Sequence, residues 1–178
     1  MRPRRQSLGQ HFLHDQGMVR KIIAASEIQE NEQVVEIGPG PGSLTRALAG
    51  TRARITAIEV DKSLFDQLQT ELNPARAPSP VQLVHADALE FPFDTLPSPF
   101  VVIGNLPYSI STPLLFRLLK YRQCIDRMII MVQKEVARRM VARPGTKDYG
   151  PLSIGIQYYT EPRIAFSVPP GCFKPPPR

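Results

Sequence analysis

The chain has 178 residues, 42% hydrophobic and 21% charged, the balance of one compact soluble domain and not of a disordered polypeptide. No apolar run is long enough for a membrane span, and the basic stretch Met1 to Arg5 leads into no apolar signal core. Twenty-two Lys and Arg against 16 Asp and Glu leave a net charge of +6, which attracts polyanions, nucleic acid first among them. Two cysteines, Cys124 and Cys172, match no metal-ligand spacing and fall short of a disulfide scaffold, so no metal and a reducing cytoplasm are expected.

Asp15 stands where it would cap a helix on which Val19, Ile22 and Ile23 share a face. Val34-Val35-Glu36-Ile37 reads as a buried strand running into a tight turn, Gly38-Pro39-Gly40-Pro41-Gly42. Leu44 and Leu48 mark the next helix. Ile55, Ala57, Ile58 and Val60 predict a second strand, and Leu64, Leu68 and Leu72 a helix at four-residue steps. Val81 to Val84 and Phe100 to Ile103 give a third and a fourth strand. Leu114, Leu115, Leu118 and Leu119 make a helix, Met128 to Val132 a fifth strand, and Val136 with Met140 another helix. Leu152 to Tyr159 alternates as a strand does, yet a helix buries the same groups equally well. Prolines crowd between Pro74 and Pro99 and from Pro169 to Pro177, predicting loops, because proline lacks the donor that helices and ladders require. Strand and helix in alternation imply an α/β fold: a doubly wound, mostly parallel sheet covered on both faces. Its ligand crevice then lies at the carboxyl ends of the strands.

Four motifs sit at those ends. The turn after Glu36 lets a ligand approach the backbone, as dinucleotides and S-adenosylmethionine both require. Its glycine spacing departs from the dinucleotide pattern, and Pro39 and Pro41 remove donors a diphosphate would use. Glu36 beside the turn suits a ligand carrying an ammonium and a sulfonium. Glu59 ends the second strand, where a carboxylate accepts hydrogen bonds from both ribose hydroxyls. Asp87 and the Ala88 N–H match the amine and ring nitrogen of an adenine; an Asp there also serves as a simple cap. After the fourth strand comes Asn105-Leu106-Pro107-Tyr108. The Asn105 side-chain carbonyl and the Leu106 main-chain carbonyl can each accept one hydrogen of an exocyclic adenine amine, favouring a pyramidal nitrogen aimed at a methyl donor. Pro107 stiffens the loop, and Tyr108 offers a face for a flipped-out base. Phe173, on a proline-flanked loop, would cover the opposite face or serve as a hydrophobic plug.

Together these strings resemble the KsgA-type small-subunit rRNA adenine N6,N6-dimethyltransferases. The likeness is carried by Gly9-Gln10-His11-Phe12-Leu13, the glycine turn with Glu36, Glu59, His85 to Ala88, Asn105 to Pro113, Gln133 to Ala137 and Val168 to Pro176. It implies a class I methyltransferase fold in which Leu152 to Tyr159 is a helix and Arg163 to Val168 a strand. By the same resemblance S-adenosylmethionine is held by His11, Leu13, Gly38, Gly40, Glu59, Asp87, Ala88 and Asn105, and the target adenine lies between Tyr108 and Phe173. Two adjacent adenines in a hairpin near the 3′ end of small-subunit rRNA, in the immature 30S particle, are the implied substrate, and a monomer is expected. Lys134, Arg138, Arg139, Arg143 and Lys147 are candidate phosphate contacts, or else a solvated face. The family more often has Asn where this chain has His11, and relatives continue beyond Arg178 with a further strand and a small helical domain. Residues 1–178 therefore read as a catalytic domain. Three other readings are an Erm-type large-subunit rRNA methyltransferase, a ribosome-assembly factor without turnover, and a nucleotide-dependent oxidoreductase that leaves the tetrad unexplained.

Overall fold

The computed structural model describes residues 11–72 and 81–177. Met1 to Arg5, Gly9, Gln10, Pro74, Pro78 and Pro80 lie outside the described residues. The elements are β1 (Phe12–Leu13), α1 (Gln16–Ser26), β2 (Gln33–Ile37), α2 (Ser43–Leu48), β3 (Arg54–Glu59), α3 (Lys62–Glu71) and β4 (Val81–His85), followed by β5 (Phe100–Asn105), α4 (Ser111–Lys120), β6 (Ile125–Met131), α5 (Lys134–Met140), α6 (Pro151–Tyr159) and β7 (Phe173–Lys174).

Five strands form one parallel sheet in the order β4-β3-β2-β5-β6. The chain starts at the centre with β2, moves outward through β3 and β4, then crosses back to β5. That reversal leaves a crevice above the carboxyl ends of β2 and β5. The alternation of a strand sorts the core onto two faces. Val34, Ile55, Val101 and Ile103 pack with α1 and α2 through Val19, Ile22, Leu44 and Leu48. Val35, Ile37, Ile58, Phe100 and Val102 pack with Phe93 and with Leu114 and Leu118 of α4. Phe100 to Ile103 have no exposed surface, as expected of a central parallel strand, and each such side chain contributes about 1.5–3 kcal/mol of burial. A smaller cluster joins α4, α5 and α6 through Leu115, Leu119, Val136, Leu152 and Ile156.

Asp15 caps α1 as expected, accepting from the Met18 N–H at 2.7 Å. The second strand stops at Glu59, leaving Val60 outside it and exposed. The fifth spans Ile125–Met131, starting three residues before the sequence pattern suggests and ending one residue short of Val132. Leu152 to Tyr159 is helical, started by Pro151 at its first position, where a missing donor is harmless. The strand expected over Arg163 to Val168 is not formed: residues 160–169 carry no regular element. A strand needs a ladder partner, and this segment pairs with no strand among the described residues, though it lines the same cavity as β6. Instead the chain adds a pairing that periodicity does not reveal, β1 antiparallel to β7, with Phe12 opposite Lys174 and Leu13 opposite Phe173. Cys124 and Cys172 are both free thiols, and no helix among the described residues is long and apolar enough to cross a membrane.

Candidate active site

A cavity of about 1300 Å³ opens at the carboxyl ends of the strands and continues along the outer edge of β6. His11, Gly38, Gly40, Glu59, Asp87, Ala88, Asn105, Leu106, Pro107, Tyr108 and Phe173 all line it. Eleven of the thirteen residues singled out as cofactor or target-base groups therefore share one space. The other two, Leu13 and Glu36, are buried and border a separate cavity of about 30 Å³ beneath the glycine turn.

The turn folds as it does because Gly38, Gly40 and Gly42 all have positive φ, at 67°, 54° and 84°, a region closed to most side chains and open to glycine. Glu59 fastens it. Only 2% exposed, its carboxylate accepts from the Gly40 N–H at 3.0 Å and from the Asp61 N–H at 2.9 Å. It thus ties the loop after β2 to the start of α3, while each oxygen keeps a lone pair for a ligand hydroxyl. Phe12 walls the turn from the other side, and a Cβ at Gly40 would come within 3.0 Å of its ring. Sequence reasoning missed this role of Phe12; its place in the Gly9-to-Leu13 string is the one signal that was available.

Glu36 is buried in the central strand, with Oε2 unpartnered among the described residues. Burial pushes its carboxyl up to about 7; the neighbouring Thr45 hydroxyl opposes the rise, the Glu59 charge adds to it and Arg46 offsets it. It borders the small cavity together with Gly38, Ser43 and Asn105. A carboxylate held in a core at such a desolvation cost is a candidate functional group.

Asp87 serves as the cap foreseen for it and also stands at the cavity. One oxygen caps the following turn through the Leu89 N–H at 2.8 Å, and the exposed carboxylate still lines the cavity beside Ala88. At the end of β5 the Asn105 side chain donates from Nδ2 to the His11 carbonyl at 2.7 Å. That bond turns the amide so that Oδ1 is the free end. Leu106 donates its N–H to Met131 at 3.0 Å, extending the β5–β6 ladder, and its carbonyl accepts no hydrogen bond among the described residues. Neither Asn105 Oδ1 nor the Leu106 carbonyl thus has a hydrogen-bond partner among the described residues, and both residues line the cavity. Tyr108 is 37% exposed, and partial burial holds its phenol above the usual value, so it presents a neutral ring. Phe173 is half-buried and packs on the core cluster of α1 and α2 while also reaching the cavity.

The family described as "Ribosomal RNA adenine dimethylase" matches residues 1–178. The chain belongs to the ribosomal RNA adenine dimethylase family. Among relatives of this family, the ribosomal RNA small subunit methyltransferase A of Acinetobacter baylyi is 46% identical over 179 aligned positions, covering 98% of this chain and 64% of that protein. The chain thus spans somewhat less than two thirds of the length of that relative. Among solved structures, a dimethyladenosine transferase from Plasmodium falciparum superposes with a TM-score of 0.82 at 29% identity, over 94% of this chain and 59% of that one. The 23S rRNA methyltransferase ErmE gives 0.71 at 31% identity, over 94% and 65%. The fold is that of a class I methyltransferase, as the resemblance implies.

Of the five candidate phosphate contacts, Lys134 and Arg138 line the cavity, whereas Arg139, Arg143 and Lys147 lie beyond it on α5 and the following loop. Arg163, not singled out from the sequence, joins them at the cavity wall. None of the six forms an ion pair among the described residues.

Proposed function

We propose that this chain is the catalytic part of an S-adenosylmethionine-dependent enzyme that dimethylates N6 of two adjacent adenines near the 3′ end of small-subunit rRNA, acting as a monomer on the immature 30S particle in the cytoplasm. The observation that supports the reading is that Asn105, with its Nδ2 held by the His11 carbonyl, and Leu106 line the same cavity as Glu59 and Asp87.

The residues fit the cofactor. The orphaned carboxylate of Glu36 suits its ammonium, Glu59 its ribose, and Asp87 with the Ala88 N–H its adenine. The open space around Gly38, where an added Cβ would meet nothing within 4 Å, leaves room for close approach. When bound, the cofactor supplies an electrophilic methyl on a positively charged sulfur. Asn105 and Leu106 accept the two amine hydrogens of an extruded adenine, draw its nitrogen toward a pyramid and direct the lone pair into the cavity. Tyr108 stacks on the base, with Phe173 opposite. The nitrogen sheds its proton once it carries the new methyl, so no base is needed ahead of transfer.

Methyl transfer from labelled cofactor to purified, unmethylated 30S particles and to protein-free 23S rRNA tests the assignment. Dimethyladenine in the 30S rRNA alone supports it. Label confined to 23S rRNA moves the chain to the Erm type of activity, and label in neither, with cofactor bound, makes it an assembly factor.

A further inference from the structure

His11 meets three parts of the site at once, and each contact comes from a different atom group. Its main-chain carbonyl accepts from Asn105 Nδ2. Its imidazole Nδ1 lies 2.8 Å from the carbonyl oxygen of Pro175. A carbonyl only accepts, so Nδ1 carries the proton there. Its ring lies against Tyr108, with ring centroids 5.2 Å apart and planes inclined by 40°. Pro175 directly follows β7, which carries Phe173 and pairs with β1 next to His11. The His14 N–H adds a 2.9 Å bond to the Cys172 carbonyl.

We propose that the His11 side chain is a positioning residue that sets the width of the target-base slot, locking the loop of Tyr108 to the segment of Phe173 through its ring and its Nδ1–H. This rests on the reading that the adenine lies between those two aromatics. The physical reason is one of connection. Tyr108 sits on the loop after β5 and Phe173 on β7, elements from distant parts of the chain with no ladder between them. β1 and β7 form a sheet of only two residues each, which is marginal alone. A single imidazole that packs on one aromatic and hydrogen-bonds beside the other removes the freedom of the slot to open or skew. A slot held at fixed width keeps the amine within reach of Asn105 Oδ1, and a misplacement of about 1 Å at such a centre lowers turnover by about a hundredfold.

The assignment separates the His11 side chain from its backbone. Every substitution at this position retains the carbonyl that orients Asn105, so loss of the ring and of Nδ1–H is felt in the slot and not in the amide. His11→Ala removes both contacts; His11→Gln keeps a donor for Pro175; His11→Phe keeps a ring for Tyr108.

The test uses the 178-residue chain with an RNA hairpin that carries two adjacent adenines, the first replaced by 2-aminopurine for the binding arm. In His11→Ala, the expected results are amide exchange about tenfold faster over residues 172–174, loss of the fluorescence change on hairpin binding, and transfer to the unsubstituted hairpin about ten- to a hundredfold slower. S-adenosylhomocysteine affinity falls by a smaller factor than transfer does, because Glu59 and Asp87 remain. His11→Gln should restore the exchange protection and His11→Phe part of the fluorescence change, neither of which a merely structural defect would do. Unchanged exchange over 172–174 in folded His11→Ala overturns the proposal, as does an equal loss of cofactor affinity and transfer. If His11→Ala does not fold, exchange in His11→Phe decides: protection equal to wild type overturns the lock. Tyr108→Ala distinguishes the two layers. Should it leave the fluorescence change intact, the base-slot reading itself fails; should it abolish that change while His11→Ala does not, only the positioning role fails.

Discussion

The two halves of the sheet handle charge in opposite ways. Around β2, β3 and β4 the crevice is acidic, with Glu59 and Asp87 at the strand ends and Glu36 buried behind them on the small cavity. Three cations on that side are paired, Arg46 with Glu71, Arg52 with Glu30 and Lys62 with Asp66, while Arg54 at the start of β3 has no ion pair among the described residues. Beyond β5 and β6 the balance reverses. Lys134, Arg138, Arg139, Arg143, Lys147 and Arg163 have no ion-pair partner among the described residues, and aromatic Tyr108 faces the same cavity. On the proposed function, the first side takes a small ligand with a cationic end and the second a polyanion. Asn105, at the carboxyl end of β5, is the seam between them.

Cutting the seam has the largest expected effect. Asn105→Ala removes an acceptor that acts only as the nitrogen pyramidalises, and methyl transfer should fall by about a hundredfold or more. S-adenosylhomocysteine affinity, read by calorimetry, stays within about tenfold because the carboxylates of the acidic side remain. Equal losses in both would erase the distinction between the halves.

Next in size is the buried acid. Between the ordinary carboxylate value and about 7, the folded protein holds a proton at Glu36 that the unfolded chain has released. Stability therefore falls as pH climbs through that window and levels off above it. Glu36→Gln should be more stable than wild type by on the order of 3 kcal/mol at pH 8 and nearly equal to it at pH 4, in urea unfolding without cofactor. The same substitution should weaken cofactor binding. An increment independent of pH would mean that Glu36 does not titrate in the core.

The smallest effect sharpens the basic side. Lys134→Ala with Arg138→Ala should lower the slope of log affinity against log salt for single-stranded RNA by about 0.7 per cation, with little change in cofactor binding. An unchanged slope would return both to the solvated surface.

Much of this was legible in the sequence because the strands are apolar and short, and the chemistry stands where each one stops. Glu36, Glu59, Asp87 and Asn105 could be placed by counting from Val34, Ile55, Val81 and Phe100. Arg163 to Val168 misled because a strand is a property of a pair, and the segment meets no ladder partner. The β1–β7 pairing stayed hidden because each strand has two residues, too few for a period, and the partners lie at opposite ends of the chain. Glu59 was read as a ribose group alone. Its two backbone bonds to Gly40 and Asp61 become visible only when the loops after β2 and β3 are side by side, and the same holds for the carbonyl of His11 on Asn105.

A crystal structure with S-adenosylhomocysteine tests the central claim most directly. The account predicts ribose hydroxyls on the Glu59 carboxylate, adenine beside Asp87 and Ala88, and sulfur on the side of the cavity where Asn105 Oδ1 and the Leu106 carbonyl converge. Density for the ligand along the outer edge of β6, or an Asn105 amide turned with its nitrogen toward the sulfur, would contradict it.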